Sequence, residues 1–458
     1  WAIAVDFARR LETRLPHKRA DGASMFPYPT AEAIWREHRE STRGRDLDIT
    51  GLTYAALEAT PQQWPCAAGE TGGRARLYTD SRFATPDGRA RFAAPAYRPV
   101  VEPRDARYPF SLTTGRLRDQ WHGMSRTGTL GRLFGQWPEP AVEIHPQELA
   151  RRGWDEGALV HVTSRRGSIL LPVRGSDAAP PSQAFIAMHW GEEFVSGRAS
   201  AGAVMAGVNA LMPSACCPQS AQPELKHAAV KLLKAELPWQ LVAAGWLPEA
   251  EALVAQQRLR ALMPAFAYAH CVPFGHEPMQ RATVGVLLRA AAHEPAGDEL
   301  LAQVEATLGI VGGKVLRYAD ARRGQRRAMR LAATDTKEAG GATLDAFLLA
   351  GDAAAAAWVL GLLQDGLPVR AFGHALLSGR ATPPSALPPR APQVCNCLDV
   401  NHGAIVDALA HCHGDSDTRL AQLQQRLACG TQCGSCLPAV RALIAAQGAV
   451  RAPTPAPA

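Results

Sequence analysis

At 458 residues and 48.9 kDa the chain is longer than one hydrophobic core usually serves, and the length prior of about three domains excludes a small binding module. Hydrophobic residues at 47% and charged residues at 20% describe a folding globular chain and exclude a fibrous or disordered one. The formal charge of +7 rests on 43 arginines and six lysines scattered along an alanine-rich chain, with no basic run longer than three and no interleaved aromatics, so nucleic acid is not an expected partner.

The chain opens on Trp1, not Met, inside a segment whose Ile3, Phe7, Leu11 and Leu15 recur at helical spacing; this predicts a cut from a longer chain. No charged segment followed by an apolar core marks a secretory signal. Residues 1–107 mix helical patterning with turn-rich stretches such as TPDGRARF. From 108 short strands take over. Ala158–Ser164 alternates, Arg165-Arg166-Gly167 turns and Ser168–Val173 returns, a β-hairpin that the turn GWDEG precedes.

Residues 237–377 read as mostly helical with at least one strand, Leu344–Ala350. Asp352 is the expected N-cap of a helix over Ala353–Gln364, which Gly366 and Pro368 stop. The apolar window Ala346–Leu363 holds Asp352, two glycines and seven alanines, so no membrane span is expected there. Pro383, Pro384, Pro388, Pro389 and Pro392 make a linker. Beyond it three helical stripes follow: Ile405, Val406 and Leu409; Leu420, Leu423 and Leu427; Val440, Leu443 and Ile444 behind Pro438. The tail RAPTPAPA is expected to be disordered.

Six of the ten cysteines lie in the last 64 residues, and four of them form Cys395-x-Cys397 and Cys433-x2-Cys436 with 35 residues between the pairs. Each pair can chelate one iron, and two irons bridged by two sulfides make a 2Fe-2S cluster. Structural zinc is the runner-up, although Cys-x-Cys is tighter than the usual zinc loop. Disulfides need an oxidising compartment, and Cys66, Cys216, Cys217 and Cys271 show no framework spacing. Gly430 and Gly434 flank Cys433 and let backbone amides turn toward sulfide. Cys412 reads as a packing residue and Cys429 as a neighbour of the cluster, outside its ligand set.

VCNCLDVNHGAIVDAL with GTQCGSC resembles the BFD-type 2Fe-2S domain, which implies the ligands Cys395, Cys397, Cys433 and Cys436. A second stretch, SLTTGRLRDQWHGMSRTGTL over Ser111–Leu130, can bind an anion. Thr113, Thr114 and Gly115 offer hydroxyls and backbone N–H groups to phosphate oxygens, and Arg116 can pair bidentately, with Arg118, His122 and Arg126 nearby. A surface loop in an arginine-rich chain is the competing reading.

TTGRLRDQWHGMSRTG, the RRG turn, AFIAMHWGEEF, VNALMPSACCPQSAQPELKHAAV and, upstream, GRDLDITGLTY and QQWP resemble the C-terminal half of a molybdenum bis-(molybdopterin guanine dinucleotide) oxidoreductase, closest to the bacterial assimilatory nitrate reductase large subunit. The resemblance implies a multidomain chain. Residues 1–107 end an α/β region; 108–236 form a dinucleotide-binding β-barrel of the double-psi type; 237–392 form a joining α/β region and linker; 393–447 form a small all-α 2Fe-2S domain; 448–458 are the tail. It places Thr114, Gly115, Arg116, Trp121, His122, Gly123, His189, Asn209 and Lys226 against the dinucleotide, with packing an equal alternative for His189. Ala221 stands where the subgroup usually has lysine.

No residue of the chain is implied in catalysis, since the molybdenum-ligating region and the Cys-x2-Cys-x3-Cys motif of a 4Fe-4S cluster are absent from it. The implied activity is nitrate reduction to nitrite in the cytoplasm, absent from this piece alone. Electrons come from an NADH-dependent flavoprotein or a ferredoxin. Formate dehydrogenase-like chemistry and a non-catalytic 2Fe-2S electron-transfer protein are the alternatives.

Overall fold

The computed structural model describes residues 1–15, 21–199, 202–203, 207–275, 283–333 and 342–450, and it divides the chain into two compact units, Trp1–Arg98 and Pro99–Ala458. The first unit carries α1 (Ala2–Glu12), α2 (Ala31–Glu40) and α3 (Tyr54–Ala59). Thr30 and Thr53 cap α2 and α3 by accepting from the backbone N–H three residues on. No strand occurs among the described residues of this unit, which corrects the expected α/β remnant: the rest of it is turns and extended chain. The stripe of α1 is helical as its spacing predicts, yet Ile3 and Phe7 are 88% and 66% exposed.

In the second unit a closed barrel is built from β1 (Phe110–Gly115), β2 (Val142–Ile144), β3 (Leu159–Thr163), β4 (Ser168–Gly175), β5 (Gln183–Ala187) and β7 (Ala228–Lys234), in the order β1-β5-β2-β4-β3-β7. β6 (Val195–Gly197) leaves the barrel and pairs with the sheet described next. The pairs β1/β5 and β2/β4 are parallel, the others antiparallel. Helix α4 (Pro146–Arg152) follows β2; His145 caps it and Gly153 ends it at φ 62°. The hairpin β3/β4 turns at Arg165-Arg166-Gly167 with Val160 opposite Leu171, as the alternation predicts.

Residues 237–377, read as mostly helical, form six strands of a seven-stranded sheet. These are β8 (Trp239–Pro248), β9 (Tyr268–Phe274), β10 (Thr283–Ala292), β11 (Val315–Asp320), β12 (Gln325–Ala333) and β13 (Ala342–Gly351), in the order β11-β12-β13-β8-β10-β9-β6. Helices α5 (Glu249–Leu262) and α6 (Asp298–Thr307) cover one face, and α7 (Ala356–Gln364) packs on β13 and β8. Asp352 is not the cap of α7. Its Oδ1 accepts from Ala354 N at 2.9 Å in a turn, and the helix starts three residues beyond the expected Ala353. Buried Glu305 of α6 binds Arg317 at 2.5 Å and Arg326 at 2.7 Å, so part of the arginine excess is internal ion pairing.

The last domain has the three expected helices, α8 (His402–Leu409), α9 (Ser416–Leu427) and α10 (Leu437–Val450), around a core of Ile405, Leu409, Leu420, Leu423, Val440 and Ile444. It is not all-α, because β14 (Gln393–Cys395) and β15 (Val400–Asn401) form a two-stranded ribbon that carries the first thiol. Of the tail expected from 448, the first three residues belong to α10 and 451–458 lie outside the described residues.

Candidate functional site

Two neighbouring parallel strands of the barrel discharge their chains at one rim. β1 and β5 pair in register to Gly115 opposite Ala187, so the loop after β1 and the segment Met188–Phe194 after β5 leave side by side. Openings beyond the carboxyl ends of parallel strands are common binding sites in α/β sheets, and the same geometry operates here in a barrel. Thr114 Oγ1 donates to Ile186 O at 2.7 Å and locks this end of the pair.

His189 shapes the loop. It is 1% exposed; Leu117 N donates to its Nε2 at 2.9 Å, and its Nδ1 donates to His122 O. Both ring nitrogens are thus engaged with loop backbone, which fixes the Nδ1–H tautomer and leaves no nitrogen for a ligand. Burial pushes its pKa down against the opposing effect of the His122 carbonyl, and the Arg116 charge adds to the lowering. The loop is further bent by His122 and Met124 at φ 37° and 61°, in the left-handed region.

Gly123, His189 and Asn209 line one cleft of about 250 Å³ with Trp190, Glu192 and Glu193. A Cβ on Gly123 would meet nothing within 4 Å, so the cleft is open at that point. Arg116, Trp121 and His122 are exposed on the same loop, and the Arg126 guanidinium lies 5.3 Å from the Trp121 ring centroid. Lys226 is exposed two residues ahead of β7. Continuing the β1/β7 register beyond Leu112 opposite Ala228 carries it toward Thr114, outside the lining of the small cleft. Ala221 sits in a turn at φ 56°.

The four thiols form the second half of the site. Cys395 Sγ lies 3.6 Å from Cys397 Sγ, and Cys397 Sγ lies 3.6 Å from Cys433 Sγ. Two thiolates on one tetrahedral metal at about 2.3 Å stand about 3.8 Å apart, so the spacing suits chelation. Cys436 is 1% exposed just ahead of α10, its thiol hydrogen-bonded with that of Cys395. Among the described residues no three His, Cys, Asp or Glu side chains converge on a single ion, whereas these sulfurs form a chain with Cys397 in its middle.

Burial pushes the thiols of Cys395, Cys397 and Cys436 up. Cys429 is wholly buried in the core of the three helices, where burial and then Cys395 raise its thiol. Cys412 is buried there too, its Sγ donating to Ala408 O at 3.3 Å.

Asp119, which motif reading passed over, and Arg118, expected beside a bound anion, join the halves. Asp119, three positions beyond Arg116, accepts from Asn396 Nδ2 at 2.9 Å through Oδ2 and from Ser435 Oγ at 2.9 Å through Oδ1. Arg118 pairs with Asp119 at 2.9 Å and donates to Val394 O at 2.9 Å. On the other side of Asn396, a Cβ on Gly135 would come within 3.2 Å of Asn396 Oδ1, so backbone and ribbon are in close apposition. Asp119 and Arg118 stand inside the quoted loop motif, but their partners lie some 280 to 320 positions away and nothing local signals them.

Comparison with known proteins agrees with both halves. Residues 110–229 match the Molydopterin dinucleotide binding domain family, and residues 393–446 match the BFD-like [2Fe-2S] binding domain family. A nitrate reductase of Klebsiella oxytoca is 30% identical over 439 residues, covering 93% of this chain and 44% of the relative. The assimilatory nitrate reductase catalytic subunit of Bacillus subtilis is 32% identical over 236 residues, 51% of this chain and 30% of the relative. An F420-dependent formate dehydrogenase subunit alpha of Methanocaldococcus jannaschii is 32% identical over 207 residues, 45% of this chain and 28% of the relative. The chain spans less than half the length of these curated relatives.

Proposed function

We propose that this chain, which carries a molybdopterin dinucleotide-binding domain and a BFD-like 2Fe-2S binding domain and is homologous to a nitrate reductase along 93% of its length, is part of a molybdenum-dependent assimilatory nitrate reductase. In this reading nitrate takes up two electrons and two protons and gives nitrite and water. Electrons arrive from an NADH-dependent flavoprotein or a ferredoxin, enter through the 2Fe-2S cluster and pass to the molybdenum cofactor in the cytoplasm. The bound cofactor supplies the two-electron chemistry of oxygen-atom transfer.

The chain's own residues bind and orient. Arg116 and Lys226 offset the pyrophosphate charge, Arg116 by a bidentate pair. Thr114, Gly115, Trp121, His122, Gly123 and Asn209 line pyrophosphate and guanosine, and His189 holds their loop in shape through its two backbone hydrogen bonds. Cys395, Cys397, Cys433 and Cys436 hold the two irons. The barrel is read as the double-psi type, in keeping with its two parallel pairs.

The observation that carries this reading is the bonding of the dinucleotide loop, through Arg118 and Asp119, to both thiol-bearing segments. Two cofactor sites with no common task need no such connection. A formate dehydrogenase-like reading is favoured by the 32% identity to the archaeal formate dehydrogenase subunit. Dye-linked assays on the full-length parent separate them: reduced viologen driving nitrite formation is expected, and formate oxidation without nitrate reduction would overturn the nitrate reading. Iron and sulfide without molybdenum in that parent would instead identify an electron shuttle.

A further inference from the structure

Each chelating pair of cysteines encloses one residue that reaches the same carboxylate. Asn396 lies between Cys395 and Cys397, and Ser435 lies between Cys433 and Cys436; their side chains donate to the two oxygens of Asp119 at 2.9 Å each. Asp119 has 8% of its side chain exposed and is paired with Arg118, so the acceptor is fixed in place. Asn396, itself 3% exposed, also reaches Leu133 O at 3.5 Å. The Ser435 hydroxyl is 3.2 Å from Cys433 Sγ as well as 2.9 Å from Asp119 Oδ1, and it has a single hydrogen to give. A carboxylate is the stronger acceptor.

We propose that Asp119 is a positioning residue that fastens both thiolate loops to the dinucleotide loop and draws the Ser435 hydrogen away from the Cys433 sulfur, keeping the 2Fe-2S cluster at a low potential. The inference rests on the reading of these thiols as cluster ligands. Hydrogen bonds to cluster sulfurs and net charge set such potentials. A thiolate deprived of a donor and faced by a carboxylate favours the oxidised cluster, which makes the reduced cluster a better donor toward the dinucleotide side.

The test uses the 458-residue chain with its cluster assembled, read by redox titration of the 2Fe-2S EPR signal and by hydrogen exchange. Asp119→Asn is expected to raise the midpoint potential, with iron and sulfide content unchanged and faster exchange in segments 393–397 and 431–437. Ser435→Ala alone is expected to leave the potential in place, because its hydrogen serves Asp119, and to shrink the rise caused by Asp119→Asn in the double variant. An unmoved potential in Asp119→Asn overturns the proposal. So does a fall in Ser435→Ala, which would show the hydroxyl donating to sulfur, and this variant decides even where Asp119→Asn does not fold. Absence of iron and sulfide from the wild-type chain overturns the ligand reading itself, which a cluster with an unmoved potential leaves standing.

Discussion

At residue scale the cysteines separate by where they sit. Cys397 and Cys433 face each other at 3.6 Å, whereas Cys429 is wholly buried in the helical core. Cys433→Ser is therefore expected to abolish the cluster and Cys429→Ser to keep most of it, measured as visible absorption and reduced-state EPR; equal loss in both would show that the ligand set is wrong. Away from the cluster, Glu139 Oε2 lies 2.5 Å from Arg289 Nε and 2.9 Å from His270 Nε2. Burial raises the carboxyl pKa, but Arg289 and then His270 more than reverse this and hold it at about 2, although a quarter of the side chain meets solvent. A carboxyl lowered from 4.5 to about 2 stabilises the fold fully above pH ~5, and that share is lost as pH falls toward 2. Glu139→Gln should remove about 2 kcal/mol at neutral pH and flatten the stability loss below pH ~5 in denaturant melts.

At element scale the sheet explains why residues 237–377 looked helical. In β8, Trp239, Leu241, Ala243 and Leu247 enter the core under α5 and α6, while Val242 and Ala244 enter the core shared with the barrel. β13 divides likewise, Phe347 and Leu349 against Ala346, Leu348 and Ala350. A strand buried on both faces loses the polar alternation that marks a half-exposed one, and its alanines add helical propensity. The hairpin β3/β4 was legible because its turn and its alternation are both local. Tight stacking makes a further expectation: a Cβ on Gly245 would come within 2.9 Å of Ala346 Cβ and 3.4 Å of Leu308 O. Gly245→Ala should cost roughly 1–3 kcal/mol by overpacking, seen as a lower thermal midpoint with the cluster signal unchanged.

At the scale of the whole molecule, the Pro99–Ala458 unit carries the dinucleotide-binding and 2Fe-2S-binding domains, while the matches cover less than half of each relative. Expressed alone, the chain is expected to show no nitrate reductase activity. In the full-length parent, Arg116→Ala should remove a charge-assisted hydrogen bond worth about 1.5–3 kcal/mol, lowering molybdenum content and viologen-driven turnover while the 2Fe-2S signal persists. Full molybdenum occupancy with unchanged turnover would take Arg116 out of the cofactor site.

The sequence by itself determined the parts whose chemistry is local. Cys-x-Cys and Cys-x2-Cys set thiols two and three residues apart wherever the chain folds, and the three helical stripes build the core beside them. The glycine and hydroxyl run at Thr113–Gly115 likewise ends its strand at an open rim because strand and turn are encoded side by side. Only the tertiary structure decided the rest. That His189 props the loop depends on β5 ending beside β1, 72 positions away, and that Asp119 holds Asn396 and Ser435 depends on a domain some 280 to 320 positions on. Hydrogen bonds between distant segments leave no periodicity or spacing in the chain; they exist only once packing has brought donor and acceptor within about 3 Å.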